Sequence, residues 1–102
     1  MSVQLNLKLI ATPLAPMTAN DIIPDIRNCA AVIFQNVGTT NAVLFNGAYT
    51  VLANGGVLTL NVTELGGSLD VLQLSVMFSG AGTNRLEILT IRQGADNYSI
   101  NC

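Results

Sequence analysis

Short apolar runs, each closed by a turn rich in Asn and Gly, recur along almost the whole chain and are never spaced at the period of a helix. This pattern constrains the fold more than any other feature. Alternate side chains of an extended strand point to opposite faces, so apolar–polar alternation marks a half-buried strand. VQLNLKL at 3–9 places Val3, Leu5, Leu7 and Leu9 on one face and Gln4, Asn6 and Lys8 on the other. CAAVIFQN at 29–36 is continuously apolar and ends in the turn NVGTTN. Ala42 to Phe45 and Ala48 to Leu52 flank Asn46-Gly47, a dipeptide suited to a type I′ hairpin turn because both central positions need a positive φ. Leu58, Leu60 and Val62 alternate with Thr59, Asn61 and Thr63, and Leu72, Leu74, Val76 and Phe78 are expected inward on a long strand at 71–78. Leu86 and Ile88, then Leu89 and Ile91, change phase midway, which predicts a β-bulge. Tyr98 to Ile100 closes the series.

About eight short strands with turns at regular intervals predict an all-β fold: an antiparallel β-sandwich, jelly-roll or immunoglobulin-like, or a small barrel. A chain of 102 residues is expected to be one domain, 1–102. Residues 10–28 carry Pro13, Pro16 and Pro24 and read as a connector. Thr18 is placed to cap one helical turn, Ala19 to Ile23, which Pro24 would end.

The hairpin at 42–52 differs from the amphipathic strands. With a two-residue turn, Leu44 faces Tyr49 and Ala42 faces Val51 on one side, while Val43, Thr50, Phe45 and Ala48 lie on the other. Both faces are apolar. A two-layer sandwich covers only one face of each sheet, so the second needs another cover. Leu14, Met17, Ile22 and Ile23 of the connector are one candidate cover and a neighbouring subunit is the other. Val43, Leu44, Phe45, Tyr49 and Val51 are therefore the candidate assembly interface.

Charge sharpens that expectation. Only ten residues, 10%, are charged, where a soluble domain carries about 25%. The basic residues are Lys8, Arg27, Arg85 and Arg92, too few and too scattered to neutralise a phosphate backbone, so no nucleic-acid partner is expected. No secretory signal precedes the first strand pattern, and polar residues interrupt every apolar stretch long enough to cross a membrane. Neither export nor membrane insertion is expected.

The residues for catalysis are sparse. Histidine is absent, which removes the usual general base and the commonest metal ligand. Asp21 and Asp25 in NDIIPDIRN are the one candidate carboxylate pair for a hard cation, but Pro24 breaks the helix that would align them, and a solvated loop is the expected role. Cys29 reads as a core residue of its apolar strand, with a bridge to Cys102 as the alternative. Two cysteines without histidine cannot complete a zinc site, and the glycine pairs sit in hairpin turns where no phosphate loop forms. No cofactor, metal or catalytic residue is expected, and the protein is expected not to be an enzyme.

The stretch IFQNVGTTNAVLFNGAYTVLANGGVLTL, residues 33–60, resembles a pattern of small virion proteins of tailed bacteriophages. In both, a strand ends in an Asn-x-Gly turn, a second ends in Asn-Gly, and a third runs into a Gly turn before an alternating strand. The resemblance covers about a third of the chain. It implies a class, not individual site residues: a capsid auxiliary or decoration protein, or a head–tail or tail component, localised in the virion after assembly in the host cytoplasm. Such a subunit is expected to be a homo-oligomer in contact with other structural proteins. The competing expectation is a carbohydrate-binding or adhesin-type surface module, for which Tyr49 and Tyr98 are the available aromatic platforms.

Overall fold

The computed structural model describes residues 4–5, 9–62, 67–93 and 100–101, and among them there are strands and turns but no helix. The strands in chain order are β1 Gln4–Leu5, β2 Leu9–Pro13, β3 Asp21–Ile22, β4 Ile26–Cys29, β5 Ala31–Asn36 and β6 Ala42–Leu44. They continue as β7 Tyr49–Val51, β8 Gly56–Asn61, β9 Leu69–Val71, β10 Ser75–Phe78, β11 Leu86–Gln93 and β12 Ile100–Asn101. Two four-stranded sheets form, ordered β2-β11-β5-β8 and β3-β10-β6-β7, and every pairing is antiparallel. The pair β4-β9 prolongs the second sheet, because β3-β4 and β9-β10 are two halves of the same strand pairing. The pair β1-β12 joins residues near the two termini.

Taking β3-β4 and β9-β10 as one broken strand each, every connection from β2 to β11 crosses between the sheets except the β6–β7 hairpin. That is the strand order of a jelly roll. An immunoglobulin-type order would place several successive strands side by side in one sheet. Here only β6 and β7 are so placed.

Inward positions supply the core. Val32 and Phe34 of β5 and Leu86 and Ile88 of β11 belong to one buried cluster with Ala42, Leu44, Val51, Leu74, Val76 and Phe78 of the opposite sheet. Ile23 and Ile26 enter from the segment expected to be a connector. That segment is instead β2, β3 and β4. Its prolines are compatible with this because β2 is an edge strand, where a missing N–H breaks no ladder, and Pro16 and Pro24 lie between strands. The helical turn at 19–23 does not form. The Asn20 side chain accepts the Phe78 N–H at 2.8 Å, and the Ile23 N–H donates to the Leu74 carbonyl at 2.7 Å, holding the chain extended beside β10.

Two strands depart from the expected phase. The strand at 71–78 breaks between Val71 and Ser75, where Gln73 takes φ 51° and its N–H donates to Asp25 Oδ1 at 3.0 Å. Leu72 is thereby turned outward, 47% exposed, while Val71 and Leu74 are buried. In β11 no bulge exists. Its register with β5 runs unbroken from Leu86↔Asn36 to Ile91↔Ala31. Leu86, Ile88 and Thr90 point inward, and the buried Thr90 hydroxyl donates to the Thr12 carbonyl at 3.0 Å. Leu89 and Ile91 point outward in phase.

The hairpin matches its expected register, Ala42↔Val51, Val43↔Thr50 and Leu44↔Tyr49, but its turn departs from the two-residue type I′ form. Four residues separate the strands, with Phe45 at φ 55°, Asn46 at φ 53° and Gly47 at φ 93°. A Cβ on Gly47 would meet open space, so backbone strain alone opposes substitution there. Gly47→Val is expected to lower stability by about 1–3 kcal/mol without loss of core contacts.

A buried amide organises the end of the sandwich that holds the β5–β6, β7–β8 and β10–β11 links. Asn36, fully buried, donates through Nδ2 to the carbonyls of Thr40 at 2.7 Å and Val51 at 3.0 Å, and accepts the Gly38 N–H at 3.0 Å. Its own carbonyl accepts the Gly55 N–H at 2.7 Å. The β10–β11 link is tied on by Val37 N–H to Arg85 O at 3.1 Å and Thr39 N–H to Thr83 O at 2.7 Å. Gly38 lies between those two bonds, and a Cβ there would stand 2.8 Å from the Arg85 nitrogen. Asn36→Ala leaves one N–H and two carbonyls without this partner, and should cost about 2–4 kcal/mol by urea denaturation. Asn36→Asp is isosteric but turns a carboxylate toward those two carbonyls, so it should be no better than the alanine variant. A stable Asp variant would contradict this role.

Candidate functional site

The outer face of the β2-β11-β5-β8 sheet is built by the residues that alternate with the core set. β11 contributes Leu89 and Ile91 between Glu87 and Gln93, and β5 contributes Ala31 and Ile33 with Gln35. β2 contributes Leu9, Ala11 and Pro13, and β8 contributes Val57 with Thr59 and Asn61, so an apolar centre is bordered by polar residues. Leu9 is 61% and Val57 53% exposed, while Ile33, Leu89 and Ile91 are half-buried by their own neighbours. A groove of about 380 Å³ opens on this face between Pro13, Pro16, Ile33 and Leu89, rimmed by Gln35, Arg85 and Glu87. Arg85 Nε lies 3.1 Å from Glu87 Oε1 in a solvent-exposed ion pair. Such a pair marks the border of the apolar area and adds little stability.

The outer face of the other sheet is smaller. Val43 sits beside Met77, and Ile22 lies opposite Ser75. Met77 and Ile22 are 54% and 58% exposed. Ile22 thus lies on the same outer face as Val43, whereas Ile23 is committed to the core and Leu14 and Met17 pack against it.

Of the five residues expected at an interface, the structure divides the set. Leu44 and Val51 are buried in the domain's own core and unavailable to a partner, because the alternation of β6 and β7 points them at the opposite sheet. Val43 is half-buried on the outer face, and Phe45 and Tyr49 are exposed. Leu89, Ile91, Ile33 and Pro13 were missed as surface residues. Their signal was present in the apolar residues of β11 on both phases, which a straight strand satisfies by showing apolar side chains on both faces.

The titratable side chains mostly serve the backbone. Asp21 accepts its neighbour's Ile22 N–H at 2.7 Å, Asp70 accepts the Asn28 N–H at 2.9 Å, and Asp25 holds Gln73 and reaches Arg27 at 3.5 Å. Among the described residues no three acids, cysteines or histidines gather as a metal cluster. Cys29 is buried with a free thiol, and Cys102 lies outside the described residues. Burial pushes the Cys29 thiol up, opposed by Arg92 and reinforced by Asp70. The thiolate is the reactive form. In a Cys102→Ser background, Cys29 is therefore expected to resist thiol reagents at pH 8 in the folded protein and to react fully in denaturant. Immediate labelling of the folded protein would contradict the burial.

Compared with models of protein families, with curated proteins and with solved structures, the chain matches none.

Proposed function

We propose that this protein is a structural, non-enzymatic subunit of a larger assembly, and specifically a virion component of a tailed bacteriophage: a capsid auxiliary or decoration protein, or a head–tail or tail protein. The observation that carries this reading is the apolar outer face of the β2-β11-β5-β8 sheet. Monomers seldom expose contiguous apolar patches beyond a few hundred Å², and this chain offers only ten charged residues to solvate its surface. Jelly rolls serve in viral capsids and also in lectins and cupins, so the fold admits the reading without deciding it. The resemblance of residues 33–60 to small phage virion proteins supplies the specific class.

A second reading, a carbohydrate-binding or adhesin-type module, is favoured by Tyr49, 46% exposed beside Thr50 at the hairpin. An exposed ring next to polar groups is the usual platform for a sugar.

Light scattering at micromolar concentration tests the first reading, with a mass well above 10.7 kDa expected. Leu89→Asp places a charge on the outer face and should leave circular dichroism unchanged while lowering the mass. Ile88→Asp, one residue away, buries an unpaired charge in the core and should prevent folding. A wild-type monomer that binds a sugar array would replace the first reading with the second.

A further inference from the structure

Four strands stand at the edges of the two four-stranded sheets, and three of them are poor templates for another strand. The β3-β4 edge is broken at Pro24 and carries Asp21, Asp25 and Arg27, β7 has three residues, and β2 ends in Pro13. Short length, charge and proline are the devices that blunt an edge. β8 has none of them: Gly56–Asn61 is six residues long, GVLTLN, without a charge or proline. Its ladder to β5 uses the even positions, since Val62 N–H donates to Ala30 O at 3.0 Å and the register continues through Leu60↔Val32 and Leu58↔Phe34. In an antiparallel ladder the alternate residues then aim their N–H and C=O groups away. Those residues are Val57, Thr59 and Asn61, all exposed, and no other strand among the described residues pairs with β8.

We infer that β8 is a self-association edge, which pairs antiparallel with β8 of a second copy across a two-fold axis at Thr59. This deepens the reading of the chain as an assembling subunit and rests on it. The occupant is a second copy because β8 complements itself. With Thr59 opposite its own counterpart, Val57 meets Asn61 of the second copy, and the outward groups form about six main-chain hydrogen bonds. The inward pair is Leu58 with Leu60 of the second copy, both half-buried in the single chain, so the apolar layer continues across the junction. Leu52 and Tyr49, 63% and 46% exposed, stand on the same flank and extend the contact beyond the ladder. The product is one eight-stranded sheet, since each copy adds four strands edge to edge.

Two variants in a Cys102→Ser background test it. Thr59→Lys sets two like charges opposite each other and should lower the assembled mass roughly twofold with unchanged circular dichroism. Thr59→Cys should give a covalent dimer under mild oxidation, in far higher yield than Thr83→Cys, an exposed control on the β10–β11 link. Equal crosslinking of the two cysteines, or a Thr59→Lys protein of wild-type mass, overturns the edge pairing. If that happens while Leu89→Asp still lowers the mass, assembly stands and proceeds through the sheet face. A wild-type monomer overturns both.

Discussion

The side chain of Asn36 is the constraint on which the arrangement of the sandwich depends. One buried amide satisfies two carbonyls and one N–H from two places: Gly38 and Thr40 of the β5–β6 link, and Val51 of β7. Strands from opposite sheets, β5 and β7, are thereby held at a fixed separation where the chain crosses between layers. Nothing apolar could do this, because the crossing leaves main-chain groups inside the core that only a matched polar partner satisfies. Once the β5–β6 link is set, the β10–β11 link docks on it through paired main-chain bonds, and the flank bearing β8 is positioned with them.

β11 connects this architecture to the proposed role. It lies between β2 and β5 and carries apolar residues on both faces, Leu86 and Ile88 inward and Leu89 and Ile91 outward, the outward pair flanked by Glu87 and Gln93. A central strand of a sheet solvated on one side ordinarily shows polar residues there. Here Leu89 and Ile91 stand outward at the middle of the strand, and the polar groups surround them. Gln35, Arg85 and Glu87 lie at one end, Gln93 at the other, and Thr59 and Asn61 on the edge strand β8. The distribution suits the proposed closure of this face by another protein surface, with Arg85 and Glu87 at its border.

Much of the fold was legible. The hairpin register followed from Asn46-Gly47, because that dipeptide tolerates positive φ at the centre of the turn, although the left-handed backbone extends to Phe45 as well. The strands at 31–36 and 56–61 were legible with shifted bounds, the first as a continuous apolar run at 29–36 and the second as an alternation at 58–63. What escaped had physical reasons. Prolines at 13, 16 and 24 were read as loop signals, yet Pro13 sits in an edge strand that tolerates it and Pro16 and Pro24 fall in breaks between strands, so β2, β3 and β4 were lost in a connector. A bulge and a two-faced strand produce the same apolar phase change, and only the unbroken ladder of β11 separates them. The interface was assigned to the hairpin because its two faces looked alike. Alternation decides which face is core only once the opposite sheet is known, and it claims Leu44 and Val51.

The stitching around Asn36 also governs which parts of the surface are free to diverge. Three links at one end share their hydrogen bonds, with Thr40 bonded to Asn84 and Asn41 to both Ala53 and Ser79. A change of length in any one would disturb the others, so that end evolves as a unit and is a poor host for grafted peptides. The hairpin at 45–48 is closed by its own Phe45–Ala48 bond and touches Ser75 through Asn46 alone. Variation and engineered insertions belong there, on the part of the molecule whose closure depends least on distant loops.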